Sequence, residues 1–521
     1  MATTNVAEAP QNILIIGAGV FGLSTALALL ERPSYSSSRI TVIDSAPTLP
    51  NPVGSSVDSS RIVRADYSLK PYATLATEAQ ELWRDTTPSG WGGEGRYHET
   101  GFVLTGDDGQ EDYVRKAMQN VQELADGGET LDRDKIEELS DREAISKASG
   151  LIGVSGDRGY ANWNSGWADA EASVAFALHK LRTHPQARSR VTIKANCKVT
   201  ELLFTKTSNR QCTGVHLEDG SSISADLTIL AAGAWTPSLF NLEYRCLATG
   251  QVIAYLQLTA QEQTYLENLP VIINFARGTF IIPPSRGELK IARHGYGYRN
   301  PQRLSPPSPS SDASPRFSES ASISVPRTDT AIPIEAERTL RDALAELFPP
   351  TIPPHTETPP TYPTSLSTIS TRPFTNTRIC WYNDTPTSNF IIDYPPLSPD
   401  AAPAVPGRSF YNFGANPDLA FPFASSSLNT IPLGPPRLPS SHSINCIGSP
   451  SCSPNRTLYF ARNSSSCGQR HSSAYSDARF RSAASTMYLP RMGKNLKPWP
   501  EPPVAIRRDL FWDAASGERG G

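Results

Sequence analysis

The chain has 521 residues, 38% of them hydrophobic, and a formal charge of −3 from 48 Lys and Arg against 51 Asp and Glu. That length exceeds what one hydrophobic core fills, so two or more lobes are expected. The near-neutral balance argues against a nucleic-acid or anionic-membrane surface as the main partner, and no run of about 18 apolar residues is present to form a transmembrane helix.

Asn12-Ile13-Leu14-Ile15-Ile16 is a short apolar run suited to a strand buried on both faces. Gly17-Ala18-Gly19-Val20-Phe21-Gly22 follows at once, Leu23 to Glu31 reads as a helix, and the β-run Ile40 to Ile43 ends in Asp44. These pieces make a complete β-α-β dinucleotide fingerprint. Gly17 permits the tight turn, Gly19 lets the backbone approach a pyrophosphate, and Gly22 lets helix and strand pack closely. The helix N-terminus adds N–H donors for the phosphates. Asp44, 22 residues after Gly22, is placed to accept from a ribose hydroxyl. The fingerprint alone does not separate FAD from NAD.

Further along, a helix after Arg64 carries Tyr72, Leu75, Ala76, Ala79, Leu82 and Trp83 on one face. Val199 to Phe204 and Cys212 to Leu217 read as strands around a turn, and Ala225 to Trp235 is an apolar strand ending in Ala231-Ala232-Gly233. Small residues at a strand end let backbone come close to a cofactor. Leu289 to His294 reads as a strand with Lys290 and Ala292 on one face and Ile291 on the other. Glu335 to Phe348 reads as a helix with Leu340, Leu344 and Leu347 on one face. Arg378 to Pro386 surrounds Cys380, and Asn389 to Tyr394 reads as a strand.

Five blocks then carry a resemblance to the FAD-dependent amine and amino-acid oxidases of the D-amino-acid-oxidase superfamily: Ile15–Gly22, Ser55–Trp83, Tyr160–Glu171, Leu289–Tyr296 and Arg378–Tyr394. The sequence is most similar to monomeric sarcosine oxidase, pipecolate oxidase and fungal fructosyl-amine oxidases (amadoriases), over most of residues 10–395. The resemblance implies an α/β fold with a Rossmann-type FAD-binding domain built from discontinuous segments, plus a mixed β-sheet substrate domain. It implies FAD, joined covalently through Cys380, with Gly17, Gly19, Gly22, Asp44, Arg61, Val199 and Gly233 as further cofactor contacts. Arg61 would lie by the flavin, Arg64 would bind a substrate carboxylate, and Lys290 would supply positive charge for the reaction with O2. Neighbouring Arg378 could lower the thiol pKa of Cys380, and His294 is expected to be structural. The implied reaction is oxidation of the C–N bond of a secondary amine or N-substituted amino acid, of sarcosine, pipecolate, saccharopine or fructosyl-amino-acid type, giving hydrogen peroxide. The expected partners are that small substrate and O2, with no nucleic acid, no membrane and no metal, in a monomer.

The family domains fall at 1–95, 151–238 and 370–396 for FAD, and at 96–150 and 239–369 for substrate, with a surface loop at 301–326. After Pro396 the resemblance breaks off. The Gly-rich flavin turn and the carboxylate-binding lysine of the family are missing, and Met487 stands where that lysine would be. Residues 397–487 are rich in Ser and Pro, a composition that buries too little apolar surface to order itself, and 488–521 look like a remnant tail. A natural insertion and a mis-spliced or frame-shifted translation both account for this stretch. Two alternative functions follow: a flavin-binding relative with impaired catalysis, or a NAD-dependent dehydrogenase resting on Gly17–Asp44 alone. Met1–Gln11 lacks a secretory signal and Arg519-Gly520-Gly521 is not a peroxisomal tripeptide, so an intracellular, cytoplasmic location with reduced cysteines is expected.

Overall fold

A computed structural model describes residues 9–128, 130–205, 211–240, 242, 245–303, 322–352, 361–386, 388–393 and 409–413. The apolar run at the start forms strand β1 (Asn12–Ile16), followed by helix α1 (Val20–Glu31) and strand β2 (Arg39–Ile43). β1 is central and parallel to both β2 and strand β3 (Leu227–Leu230), with Ile15 beside Val42 on one side and Ile229 on the other. The sheet continues outward to 191–194 beyond β2 and to 409–413, then 391–393, beyond β3. Helix α1 is buried nearly all round, because Leu23, Ala26 and Leu30 meet the sheet while Val174, Ala177 and Leu181 of the helix Ala170–Thr183 close the same core.

The strand Ser409–Phe413 corrects the expectation that 397–487 is irregular throughout. It pairs in parallel with β3, Ser409 opposite Thr228 and Tyr411 opposite Leu230. Its five residues include Phe410, Tyr411 and Phe413, aromatic strand formers that the Ser/Pro average of a long window conceals. The rest of 397–487, Met487 and the tail 488–521 lie outside the described residues.

The second lobe is an eight-stranded mixed sheet. Strand β6 (Asn376–Asp384) forms one edge, and next to it strand β4 (Leu247–Gln257) lies between β6 and strand β5 (Glu288–Tyr298), antiparallel to both. Alternation along these strands divides their side chains between two cores. Val252, Ala254, Leu289, Ile291, Ile379 and Trp381 pack on Leu340, Leu344 and Leu347 of helix α2 (Ile334–Leu347), each leucine contributing about 1.5–3 kcal/mol of burial. Ile253, Tyr255, Ala292, Cys380 and Tyr382 face the other way, toward Ile62, Ala65 and Ala76.

Sheet membership cuts across the boundaries expected from sequence. The strand Arg158–Asn162, inside 151–238, and β6, inside 370–396, both belong to this second sheet. Residues 301–303 and 322–324 form a two-stranded ribbon, the stem of the expected surface loop. Among the described residues no helix is long and apolar enough to cross a membrane.

Candidate active site

The dinucleotide end is made of backbone. Gly17 turns at φ +108°, and its N–H donates to the Ile43 carbonyl at 2.7 Å, tying β1 to β2. A Cβ on Gly17 would sit 2.3 Å from the Ala231 carbonyl oxygen, and one on Gly22 would sit 1.8 Å from the Gly17 oxygen. Both positions therefore exclude a side chain, as expected. Gly19 caps α1 without a side-chain hydrogen bond, and the first N–H of the helix, on Val20, donates to Ser56 Oγ at 3.1 Å.

Asp44 is buried at the end of β2, where one carboxylate oxygen accepts from Ala18 N–H at 2.8 Å and the other from Ala46 N–H and Asn51 Nδ2 at 2.9 Å each. Three donors leave room on a carboxylate that can accept about four. Gly233 follows β3 at φ +53° in a short turn, where a Cβ would meet nothing within 4 Å. Val199 is buried in the core that holds Leu14, Ile16, Ile43 and Leu230. Gly233 bordering open space, the N-terminus of α1 and a carboxylate with acceptor capacity to spare thus converge at the C-terminal ends of β1, β2 and β3. This donor set fits a dinucleotide.

The other end is made of charge. β4 and β5 set Tyr255 directly opposite Lys290, and β4 and β6 set Gln251 opposite Cys380. Lys290, only 2% exposed, donates from Nζ to Asp58 Oδ2 at 2.8 Å and to the Ser60 carbonyl at 2.7 Å. Asp58 also accepts from Tyr255 OH at 2.6 Å and Ser59 N–H at 2.8 Å, and pairs with Arg61 Nη2 at 3.3 Å. Burial works against its ionisation, yet Lys290, Arg61 and Arg378 together hold the carboxyl well below the usual range.

The same Arg61 Nη2 donates to the Ser55 carbonyl at 2.7 Å and lies 3.0 Å from Cys380 Sγ. The cation on the cysteine is therefore Arg61, the first residue of the strand Arg61–Val63, and not Arg378, two residues before Cys380 on β6. Arg378 is instead turned to the carbonyls of Val57 and Gly54, at 3.0 and 3.4 Å. It holds the loop and leaves the thiol to Arg61.

Arg64 sits in an aromatic corner. Its guanidinium lies 4.2 Å over the Tyr67 ring, donates to the Asp66 carbonyl, and is 3.5 Å from Tyr113 OH, whose ring stacks on Phe275. Behind it, the fully buried Asp66 carboxyl accepts from Ser165 Oγ at 2.7 Å, Tyr160 OH at 2.8 Å and Asn162 Nδ2 at 2.9 Å. Burial pushes that carboxyl above its ordinary value in spite of these bonds and of Arg64. His294 lies 5.5 Å from the Tyr382 ring, centroid to centroid, on the same side of β5 as Lys290. Asp58, Tyr255 and Asp66 were not read as site residues from sequence. Asp58 had one signal, its place three residues before Arg61, whereas Tyr255 is brought in only by strand register.

One loop joins the two ends: Ser56 Oγ accepts from the first N–H of α1, and the neighbouring Ser55 carbonyl accepts from Arg61. The chain belongs to the family of FAD-dependent oxidoreductases (DAO), which it matches over residues 12–415. It is 34% identical over 452 residues to an amino acid oxidase of Aspergillus flavus, covering 80% of this chain and 90% of that one. It is 27% identical to the L-saccharopine oxidase of Schizosaccharomyces pombe, covering 74% of this chain and 83% of the other. Its fold matches Amadoriase I, a fructosyl amine:oxygen oxidoreductase of Aspergillus fumigatus, with a TM-score of 0.61 at 24% identity over 82% of this chain and 87% of that one. The family, the fold class and the dependence on FAD are as the resemblance implied, and the dehydrogenase alternative falls away.

Proposed function

We propose that the chain oxidises the C–N bond of a secondary amine or N-substituted amino acid, with FAD as the immediate oxidant and O2 as the final one. L-Saccharopine and fructosyl amines, the compounds in the names of two of the similar proteins, both contain a secondary amine nitrogen. FAD, when bound, would supply the two-electron oxidant: a hydride equivalent from the carbon beside the nitrogen and the proton of the amine N–H would pass on to O2 together, giving one hydrogen peroxide per C=N bond formed. The oxidised C=N bond is then hydrolysed by water.

The chain supplies position and charge. Gly17, Gly19, Gly22 and the N-terminus of α1 hold the pyrophosphate, Asp44 takes a ribose hydroxyl, and Val199 and Gly233 border the nucleotide. Cys380 forms the thioether to the flavin, with Arg61 as counter-charge at the sulfur. Arg64, its planar fork braced on Tyr67, receives the substrate carboxylate. Lys290 presents a positive charge where O2 gains electrons.

The observation that carries this reading is the convergence of Lys290, Arg61 and Cys380, from three distant segments, within one buried cluster around Asp58. It is tested by oxygen uptake and peroxide release from the purified holoprotein with sarcosine, pipecolate, saccharopine and fructosyl-glycine, each against its methyl ester. Peroxide from a free acid, much reduced for its ester, is the expected result; no turnover with any member would sink the assignment. Acid precipitation tests the thioether separately: flavin should pellet with the protein and pass to the supernatant in Cys380→Ala.

A further inference from the structure

The buried cluster holds one carboxylate among three cations. Lys290 reaches Asp58 from β5, Tyr255 reaches it from β4, Arg61 reaches it from the start of the strand Arg61–Val63, and Arg378 of β6 bears on it through space. Because Lys290 and Tyr255 are cross-strand neighbours, both donors arrive at Asp58 from a fixed ladder position. The side chain of Asp58 is fully buried and that of Lys290 is 3% exposed, so water contributes little to holding the ammonium charged. The charged and titratable groups on this side of the sheet include Asp58 from the loop, Arg61 from the strand that follows it, Tyr255 from β4, His294 from β5 itself, and Arg378, Cys380 and Tyr382 from β6.

We infer that Asp58 is a positioning residue: it keeps Lys290 cationic and aimed at the flavin, and the oxygen reaction depends on it. The inference rests on the role proposed above for Lys290. Remove the carboxylate and three cations face one another in a dry site. Arginine does not release its proton in proteins, so the relief falls on Lys290, which becomes a neutral amine. The protein then loses the charge that stabilises electron transfer to O2, although Lys290 itself is intact.

The test is the reoxidation rate of photoreduced holoprotein by O2, measured from pH 6 to pH 9 in wild type, Asp58→Asn, Lys290→Met and the double variant. Wild type should be flat across this range. Asp58→Asn should be slower by about tenfold or more at high pH and recover as pH falls and Lys290 regains its proton. Lys290→Met should be slow at every pH, and adding Asp58→Asn should slow it no further. The flavin midpoint potential, read by dye equilibration, gives a readout independent of turnover: it should drop in Asp58→Asn at high pH and return to the wild-type value at low pH.

Equal slowing of Asp58→Asn at all pH values, or an additive double variant, would mean a structural role only and overturn the inference. If Lys290→Met reoxidises as fast as wild type, the assigned role of Lys290 fails first, and the two failures are thereby distinguished. Should Asp58→Asn fail to fold, Asp58→Ala removes the same carboxylate without placing a new amide in the site. It should show the same slowing at high pH and recovery at low pH, and a rate that does not change with pH overturns the inference in that case too.

Discussion

The two ends of this site are built from opposite materials. The candidate nucleotide end is mainly main chain: two glycines with no room for a side chain, a helix N-terminus and a single carboxylate, all within residues 12–44. The candidate reactive end is made of buried side chains, Asp58, Arg61, Lys290 and Cys380, gathered from three segments. The comparison teaches where tolerance lies. The first end is expected to fail by steric exclusion, all at once, and the second by changes of charge at its buried ions.

The sharpest break should come from Gly22→Val. Its Cβ would lie 1.8 Å from the Gly17 oxygen, a contact that forces α1 away from β1. Soluble protein without flavin absorbance, or no soluble protein, is expected; a yellow holoprotein of normal Tm would contradict the cradle. Lys290→Met is next. It should slow reoxidation of reduced flavin by O2 about 10²–10³-fold, the range for losing one group that stabilises developing negative charge, while anaerobic reduction by substrate changes little. Equal loss in both half-reactions in stopped flow would place the lysine elsewhere in the mechanism.

Arg64→Gln should raise KM for carboxylate substrates about 10–100-fold, in keeping with about 1.5–3 kcal/mol for a hydrogen bond to a charged group, and leave kcat less affected. The penalty should vanish for a methyl ester, and a penalty that persists would show that Arg64 serves only to pack on Tyr67.

The smallest effect tests the scaffold outside both ends. Glu262, buried in the first turn of the helix Ala260–Leu266, accepts from Arg372 at 2.5 and 2.9 Å and from Ser365 at 2.6 Å. Burial opposes its ionisation, but Arg372, Ser365 and the Thr259 N–H bring its pKa down to about 2 from 4.5. A carboxyl lowered on folding lends stability that is complete above its unfolded value and is lost as pH falls through the folded one. Glu262 should therefore stabilise the fold above about pH 4.5 and cease to do so toward pH 2, a loss of roughly 2 kcal/mol. Chemical unfolding of Glu262→Gln should show a flatter profile between these limits than wild type, and parallel profiles would remove Glu262 from the account.

The same contrast governs what could be read from the sequence. Gly17, Gly19, Gly22 and Asp44 were legible because their chemistry is local: spacing along the chain already fixes their geometry. The strands around Lys290 and Cys380 were legible as strands, and their roles came through the family resemblance. What sequence did not show was which groups these side chains meet. Arg378 looked like the partner of Cys380 because it is two residues away, yet the sulfur meets Arg61, 319 residues distant. Tyr255 gains its meaning only when β4 and β5 align, an event without a sequence mark. The strand 409–413 was missed because averaged composition outweighed five residues of local preference.

The central claim, that this cradle and this cluster make one amine-oxidising, oxygen-reducing flavin site, is tested most directly by an anaerobic titration. Purified holoprotein mixed without oxygen with the best substrate of the amine panel should bleach its flavin absorbance at one equivalent. Admitting O2 should restore the colour and release one hydrogen peroxide per flavin. Flavin that stays oxidised with every secondary amine tried, or that bleaches and does not recover in air, would contradict the account.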